Sequence, residues 1–148
     1  MKLLRVCECE MEFDRIPFKE RPRHTLQGRT YTPQSTQRME RAIVRQWRER
    51  FGDSMANFDG PVRVYVRTQR PLCKSNPKYW AGRADLGKPD WDNIGKAVCD
   101  ALNGVAYKDD SQASIGSVEK LPRTPYGGKP MATVRIEYYM ETFEKEKK

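Results

Sequence analysis

The sequence predicts an α/β domain with mixed α and β elements, built from a small mixed four-stranded sheet and two main helices in the order β-α-β-loop-α-β-β. The first observation is an alternation of apolar and polar residues from Leu3 to Phe13, which is typical of a half-buried strand. The second is helical spacing of apolar residues in two segments, 33–51 and from Trp91 onward. The third is alternation at 62–66 and again at 131–140.

Composition sets the size and the class of partner. The chain has 148 residues, 37% hydrophobic content and a formal net charge of +8. These values predict one domain over residues 1–140, followed by a charged, flexible tail at 141–148. A strongly basic chain favours polyanionic partners such as nucleic acid.

The sequence disfavours a membrane-spanning or secreted protein, and it disfavours a zinc-binding or disulfide-bonded one. No segment reaches the ~18 apolar residues of a membrane span, and the first residues run into Arg5 and glutamates rather than a signal-peptide core. We therefore expect a soluble protein of the cytoplasm. The four cysteines, at 7, 9, 73 and 99, have no C-x-x-C spacing and His24 stands alone, so we expect reduced thiols and no zinc site.

The amino-terminal half contains the first strand, a loop and the first helix. In the strand, positions 8, 10 and 12 are all Glu, which predicts an acidic exposed face. Residues 14–31 are predicted to form a loop, and Thr32-Pro33 supplies an N-cap and a first helical position. The helix should end at Phe51, before Gly52. Arginines recur along its polar side at Arg38, Arg41, Arg45 and Arg48.

A long basic loop separates the second strand from the second helix. Residues 70–88 contain several prolines and glycines among arginines and lysines, with Tyr79-Trp80 in the middle. Loops of this length in small domains tend to be functional or disordered. After the second helix, a weakly patterned strand at 111–121 and a clear one at 131–140 close the sheet, joined by a connection at 125–130.

The second helix separates its residues by chemistry. One stripe is apolar and must face the core; it contains Ile94, Ala97, Val98, Ala101 and Leu102. The opposite side is polar and contains Asp92, Asn93, Lys96, Asp100 and Asn103. Asp90 lies just before the first turn, so two carboxylates and one amine share this corner.

This acidic corner has two interpretations. In the structural one, Asp90 is an N-cap, Asp92 suits the helix dipole, and Asp92 pairs with Lys96 one turn later. In the functional one, a reversal at Asn103-Gly104 returns Asp109-Asp110 to the start of the helix. Two unit charges about 4 Å apart repel by ~1 kcal/mol in water and ~4 kcal/mol at an effective dielectric of about 20, so three clustered carboxylates call for a cation. Mg2+ or Mn2+ suits such an all-oxygen site.

A calcium-binding EF-hand loop is a poor alternative. Asp90, Asp92 and Gly95 occupy the first, third and sixth positions of such a loop. However, its twelfth position would be Ala101 instead of the bidentate glutamate, and the helical stripe continues through the supposed loop.

The acidic segment belongs to a longer ordered string of motifs: Lys88-Pro89-Asp90-Trp91-Asp92-Asn93, Lys96, Asp100-Ala101-Leu102-Asn103-Gly104, Tyr107-Lys108-Asp109-Asp110-Ser111-Gln112 and Glu119-Lys120. This string resembles the RusA family of Holliday junction resolvases, which is common in phages and prophages. Upstream, Arg21-Pro22-Arg23 and Gly28-Arg29-Thr30-Tyr31-Thr32-Pro33 are also similar. The likeness covers nearly the whole chain, and its specificity lies mainly in residues 88–112.

The resemblance implies a homodimeric, Mg2+-dependent endonuclease that resolves four-way DNA junctions by paired incisions, with Mn2+ as a possible substitute. Asp90, Asp92 and Asp110 match the family's catalytic, metal-binding carboxylates, and Lys96 matches its catalytic lysine. Asp109 ranks below Asp110, either as a supporting metal ligand or as a neighbour that shapes the turn. After Gln112, Ala113-Ser114 replaces a bulky aliphatic residue, so we expect the third strand to start later or to pack less firmly.

The basic residues are the candidates for DNA contact. Alone, they would more often be a solvated surface, but beside a nuclease site they become phosphate contacts. The candidates are Arg21, Arg23, Arg29, Arg38, Arg41, Arg45, Lys74, Lys78 and Lys88. The expected setting is the nucleoid DNA of a bacterial host cell. Two other functions stay open: a non-catalytic junction-binding protein, and a nuclease acting mainly on other branched DNA.

Overall fold

The computed structural model describes residues 1–19, 23–31 and 33–142. Its sheet has four strands in the spatial order β1-β6-β4-β5, which confirms the predicted mixed fold. The elements in chain order are β1 (Lys2–Glu12), β2 (Arg23–His24), β3 (Thr30–Tyr31), α1 (Gln34–Phe51), β4 (Val62–Gln69), a 3-10 helix (Lys78–Trp80), α2 (Trp91–Leu102), a second 3-10 helix (Asp110–Gln112), β5 (Ala113–Lys120) and β6 (Met131–Met140).

The sheet is mixed because its strands run in both directions. β6 is antiparallel to β1 on one side and to β4 on the other, whereas β4 and β5 are parallel. A crossover between parallel strands needs an intervening element, and α2 occupies that position in the chain. Alternate residues of β1, β4 and β6 are buried and form the core with the helices, as illustrated by Cys9 opposite Val134 and Val64 opposite Ile136.

The helices cover one face of the sheet with the residues that the sequence predicts. All members of the apolar stripe of α2 are buried: Ile94, Ala97, Val98, Ala101 and Leu102. In α1, Ile43 and Trp47 are buried, and Met39 and Ala42 pack partly against the core. At Gly95 the helix lies so close to β5 that an added Cβ would be 3.0 Å from Cγ2 of Val118.

Several boundaries differ from the sequence-based expectations. The 14–31 segment contains the short β2–β3 hairpin, because Thr25 and Arg29 exchange hydrogen bonds around Gly28, whose φ is 79°. The first helix begins at Gln34 with Pro33 outside it; Thr32, the expected N-cap, and the tail from residue 143 lie outside the described residues.

The basic loop and the third main strand also differ in detail. The 70–88 loop contains the Lys78–Trp80 3-10 helix and is tied to the sheet connection by Leu72 N–H donating to the Thr124 carbonyl at 2.8 Å. β5 starts at Ala113, two residues later than the predicted 111, and residues 114–117 are all exposed. The expectation of a later or loosely packed third strand is confirmed.

The cysteines are all free thiols. Cys7 and Cys9 are buried in β1, Cys99 is partly buried in α2, and Cys73 is exposed in the loop. Within the described ranges, the model contains no helix with the length and apolar content of a bilayer span.

The buried hydroxyl of Tyr138 gives a test of the packing between β6 and the segment after α2. It donates a 2.7 Å hydrogen bond to the Ala106 carbonyl. Tyr138→Phe leaves that carbonyl without its partner, so we expect a loss of about 1–2 kcal/mol and a melting temperature lower by about 2–8 °C. Tyr65→Phe is the matched control, because the Tyr65 hydroxyl has no partner among the described residues and lies on the other face of the sheet. Equal effects of the two variants would contradict this packing.

Candidate active site

The charged side chains at the start of α2 are exposed and make few contacts with the described part of the protein. Asp90 precedes the helix with φ −69° and ψ 153°, but its carboxylate makes no capping hydrogen bond. It instead accepts from Nζ of Lys88 at 3.0 Å through each oxygen, in an exposed pair. Asp92 and Lys96 are exposed and have no hydrogen-bond or ion-pair partner within the described part of the chain. Asp90 does occupy the N-cap position and Asp92 the first turn, as the structural interpretation expects, but within the described residues neither a side-chain capping bond from Asp90 nor the Asp92–Lys96 pair is formed.

Asp109 has a structural task in the turn before β5. Its carboxylate accepts from Ser111 Oγ at 2.7 Å and from Asn103 Nδ2 at 3.3 Å, and with Gln112 it forms a reciprocal capping box. The hydrogen bond from Ser111 is the main reason that the pKa of Asp109 is lowered. Gln112 in turn donates to the carbonyls of Phe58 and Gly60, which fixes the turn against the start of β4.

That fixed turn directs Asp110 toward α2. The Asp110 carboxyl lies beside Asp100, and its pKa is raised by burial first and then by the charges of Asp109 and Asp100. The chain reversal therefore returns Asp110 to α2, whereas the sequence-based expectation was a return to the start of that helix. It returns to the region of Cys99 and Asp100 and not to the helix start, because the turn is anchored at Asn103. About 12 Å of helix separates Asp92 from Asp100.

Asp100 is a site residue that the sequence reasoning placed on the polar face but did not select. Its carboxylate pairs with Nζ of Lys19 at 3.3 Å, and the same ammonium contacts Glu40 of α1 at 3.2 Å. Lys19 also donates its backbone N–H to the Asn93 carbonyl at 3.3 Å. The position of Asp100 on the polar side of the helix could have indicated it as a site residue. No local sequence pattern indicated Lys19 as its partner.

The donor chemistry suits a hard divalent cation, although the three expected carboxylates are not gathered in one place. The described residues contain no group of three or more acidic, histidine or cysteine side chains arranged to hold a metal. Asp90 and Asp92 are nevertheless exposed carboxylates at one end of a polar helix face, and Asp100 with Asp110 forms a like-charge pair farther along it. Oxygen donors of this kind fit Mg2+ or Mn2+, and a cation would relieve the repulsion.

A basic groove leads to these acids. It lies between α1 and α2, has a volume of about 500 Å3, and is lined by Arg41, Arg45 and Arg48 on one side and by Asp100 on the other. Arg45 pairs with Glu49 at 3.1 Å and Arg48 with Asp53 at 2.8 Å, both in exposed positions. Such surface pairs are weak and can exchange for phosphate contacts.

The remaining candidates for DNA contact are dispersed. Arg38 lines a second depression with Glu12 and Lys129. Arg29, Lys74 and Lys78 are exposed, and Lys88 contacts Asp90. Arg21 and the side chain of Arg23 lie outside the described residues.

Tyr79 is an exposed aromatic of the basic loop. Its side chain is 72% exposed, and the Arg83 guanidinium lies 5.0 Å from its ring centroid. It therefore does not pack into the body of the protein.

Comparisons with known proteins found a matching family model and a curated relative. The family model for Endodeoxyribonuclease RusA matches residues 16–137. Among curated proteins, the uncharacterized protein YqaN of Bacillus subtilis (strain 168) is 41% identical over 85 residues, which is 52% of this chain and 57% of that protein. The match thus spans little more than half the length of that relative.

The two neighbouring aspartates should respond in opposite directions to substitution. The pKa of Asp110 is raised in the folded protein, so its ionisation removes stability as pH rises through the unfolded-state value, near 4, and the loss is complete above the folded-state value. Asp110→Asn should therefore raise the melting temperature of the metal-free protein at pH 7, and the gain should vanish below pH ~3.5. Asp109→Ala should lower the melting temperature at pH 7, because the loss of its capping role costs ~1 kcal/mol.

Thermal unfolding in EDTA across this pH range measures both effects. A destabilised Asp110→Asn protein at pH 7 would contradict the like-charge contact with Asp100. An unaltered Asp109→Ala protein would contradict the capping assignment.

Proposed function

Because this chain belongs to the RusA family of endodeoxyribonucleases, we propose that it is a Mg2+-dependent enzyme that resolves four-way DNA junctions by paired, symmetric incisions. Family membership confirms the resemblance, whose specificity lies mainly in residues 88–112. The observation that carries the proposal is the polar face of α2, where Asp92 and Lys96 have no partner in the described structure and Asp90 has only an exposed lysine. Unpaired charges of both signs on one helix face suit a site that binds a cation and a phosphate.

Asp90, Asp92 and Asp110 are the proposed metal ligands, for one or two ions: Asp90 and Asp92 lie at the start of α2, and Asp110 lies beside Asp100 farther along the same helix. Asp109 is confined to shaping the turn. The ion, when bound, supplies an activated water and charge stabilisation for phosphodiester hydrolysis, and Mn2+ can replace Mg2+. Hydrolysis by in-line attack of water would form a new bond from oxygen to phosphorus and break the bond from phosphorus to the 3′ oxygen, which would leave a 5′-phosphate and, after protonation, a 3′-hydroxyl.

Lys96 is the proposed electrostatic partner of the reacting phosphate. It lies one helical turn after Asp92 and one turn before Asp100, so its ammonium can reach a phosphate held over the same face. Its three N–H donors would neutralise charge that develops on the phosphate oxygens or orient the attacking water. Because Lys96 has no partner in the described part of the chain, contacting a phosphate requires no ion pair to break.

DNA binding is assigned to the groove between the helices and to the basic loop. Arg41, Arg45 and Arg48 would hold phosphates on the α1 side while the acids stand opposite. Phosphate contacts provide affinity, and the shape of the four-way junction provides selectivity. Two strands must be cut, so we propose a two-fold homodimer that presents one site to each strand, acting in the cytoplasm of a bacterial host.

The substrate class is tested by parallel digestion of a four-way junction, a flap and a linear duplex, each with and without Mg2+. The proposal predicts symmetric nicks in the junction that require Mg2+, and little cleavage of the linear duplex. Preferential cleavage of the flap would favour a nuclease for other branched DNA. Binding without cleavage in Mg2+ and in Mn2+ would favour a junction-binding protein.

Substitution of the carboxylates tests the assignment of each residue. Asp90→Asn, Asp92→Asn and Asp110→Asn should each lower the cleavage rate by roughly two orders of magnitude or more while junction binding persists, because charge stabilisation is lost but phosphate contacts remain. Asp109→Asn is the matched control: it keeps an oxygen acceptor for Ser111 and should retain most activity. Unchanged turnover by Asp92→Asn in Mg2+ would refute the assignment.

Salt dependence tests the basic groove. Each phosphate contact contributes about 0.9 to the negative slope of log affinity against log salt on duplex arms. Arg41→Ala should therefore reduce the slope for junction binding by about that amount. Arg67→Ala, on the opposite face of the sheet and paired with Glu119, should leave the slope unchanged. Equal slopes for wild type and Arg41→Ala would exclude this groove as the binding face.

A further inference from the structure

A second pocket opens beside the start of α2. Its volume is about 640 Å3, within the range of small-ligand sites. It lies between the segment that follows β1, the beginning of the basic loop and the first turn of α2. The lining residues are Asp14, Arg15, Ile16, Phe18, Lys19, Arg70, Cys73, Lys88, Pro89, Asn93 and Pro130.

The lining has one apolar side and one cationic side. Ile16, Phe18, Pro89 and Pro130 supply apolar surface, and the cationic lining residues are Arg15, Lys19, Arg70 and Lys88. Three of these cations are ion-paired: Lys19 with Glu40 and Asp100, Arg70 with Asp85, and Lys88 with Asp90. Asp14 is the one acidic lining residue within the described structure; it is 95% exposed and lies 3.7 Å from Lys129. This combination fits a ligand with an anionic end and a flat, apolar body, and a nucleotide has that chemistry.

The cationic side is held rigidly at Arg70. Its guanidinium forms two hydrogen bonds to Asp85, from Nε at 2.9 Å and from Nη2 at 2.7 Å, and Asp85 is only 8% exposed. Three guanidinium N–H donors stay available after these two bonds. Gly87 makes room for this arrangement, since an added Cβ would lie 2.5 Å from Nη2 of Arg70. An arginine held in such a bidentate pair, with its side chain still 22% exposed, is pre-organised to contact a phosphate.

The pocket is joined to the acids of α2 by short links. Phe13 N–H donates to the Pro130 carbonyl at 2.9 Å, and Lys19 N–H donates to the Asn93 carbonyl at 3.3 Å, so its walls are tied together. Lys88 lines the pocket and also contacts both carboxylate oxygens of Asp90. A strand whose phosphate lies at Asp90 would thus have its neighbouring nucleotide at the mouth of the pocket.

We propose that this pocket takes one unstacked nucleotide of the strand being cut, adjacent to the scissile phosphodiester, with the base against Phe18 and its phosphate on Arg70 and Lys88. The proposal rests on the proposed nuclease function, because it places the occupant on the same strand as the reaction. The base is unstacked most readily where pairing is already interrupted, as at a branch point. The pocket would in this way make the enzyme selective for a base next to the cut.

Removing a single base from the DNA tests the proposal. A series of junctions is used, each with one abasic residue at a different position next to the cut. Each junction keeps every phosphate and lacks a single base. Stacking contributes about 1–3 kcal/mol per base, so one of these positions should lower kcat/KM by roughly 5-fold to 150-fold with the wild-type protein. In Phe18→Ala the same abasic residue should have little further effect. Tyr126→Ala, which removes an exposed aromatic outside the pocket, should retain the full penalty.

Cys73 gives a readout that does not require cleavage. It is the exposed thiol of the described structure and lines the pocket, so its alkylation by N-ethylmaleimide in EDTA can be followed by mass spectrometry. Junction DNA should slow the alkylation at least 10-fold. At equal occupancy, the junction whose abasic position lowers kcat/KM should slow the alkylation of Cys73 much less.

Substitutions of Cys73 test the pocket by cleavage. Cys73→Trp, which fills the pocket, should remove the loss of kcat/KM caused by that abasic residue, whereas Cys73→Ser should keep it.

Three outcomes distinguish this proposal from the proposed function. Efficient cleavage with no penalty at any abasic position, and equal thiol protection by all junctions, would overturn the pocket and leave the nuclease intact. No cleavage together with base-dependent protection of Cys73 would support the pocket as a nucleotide site and refute the nuclease. If neither the cleavage rate nor the protection of Cys73 depends on a base next to the cut, the pocket is not a nucleotide site, whether or not the junction is cleaved.

Discussion

The apolar stripe of α2 fixes the position of the groups that this helix contributes to the candidate site. Burial of Ile94, Val98 and Leu102 against the sheet sets the rotation of the helix, and the opposite face must then carry its charges outward. Fully burying such a side chain contributes about 1.5–3 kcal/mol, well above the 0.2–1 kcal/mol typical of an exposed ion pair. The core can therefore hold the helix in place while Asp92 has no partner among the described residues. A site that must accept a cation and a phosphate needs that separation of tasks.

The adjacent aspartates show how the same residue type acquires two tasks from its surroundings. Asp109 accepts hydrogen bonds that its ionised form favours, and it thereby shapes the turn. Asp110, one residue later, is partly buried beside Asp100, where ionisation is disfavoured. The turn that Asp109 stabilises thus holds the Asp110 carboxyl in a place where its ionised form is disfavoured. Lys19 completes the arrangement by linking Asp100 to Glu40, so the segment after β1, α1 and α2 meet at one ammonium group.

The sequence alone predicted those parts of the structure that depend on a local periodicity or a local motif. Both helices and the four main strands follow from periodicity, and the stripe of α2 is buried residue for residue. The β2–β3 hairpin was missed because strands of two residues show no period. The contacts of Lys19 with Asp100, and of Arg70 with Asp85, join residues distant in the chain and depend on how the loops fold back. For the same reason, the sequence could predict that Asp110 returns to α2 but not the turn of the helix at which it arrives.

Binding of Mg2+ to the DNA-free protein is the most direct measurement of the central claim, that the polar face of α2 together with Asp110 forms a divalent-cation site. Thermal unfolding should be followed against Mg2+ concentration at constant ionic strength. The account predicts a saturable rise in melting temperature, worth about 2.7 kcal/mol at a hundredfold excess over the dissociation constant, which is absent from Asp92→Asn. A rise that NaCl of equal ionic strength reproduces, or that Asp92→Asn retains in full, would contradict it.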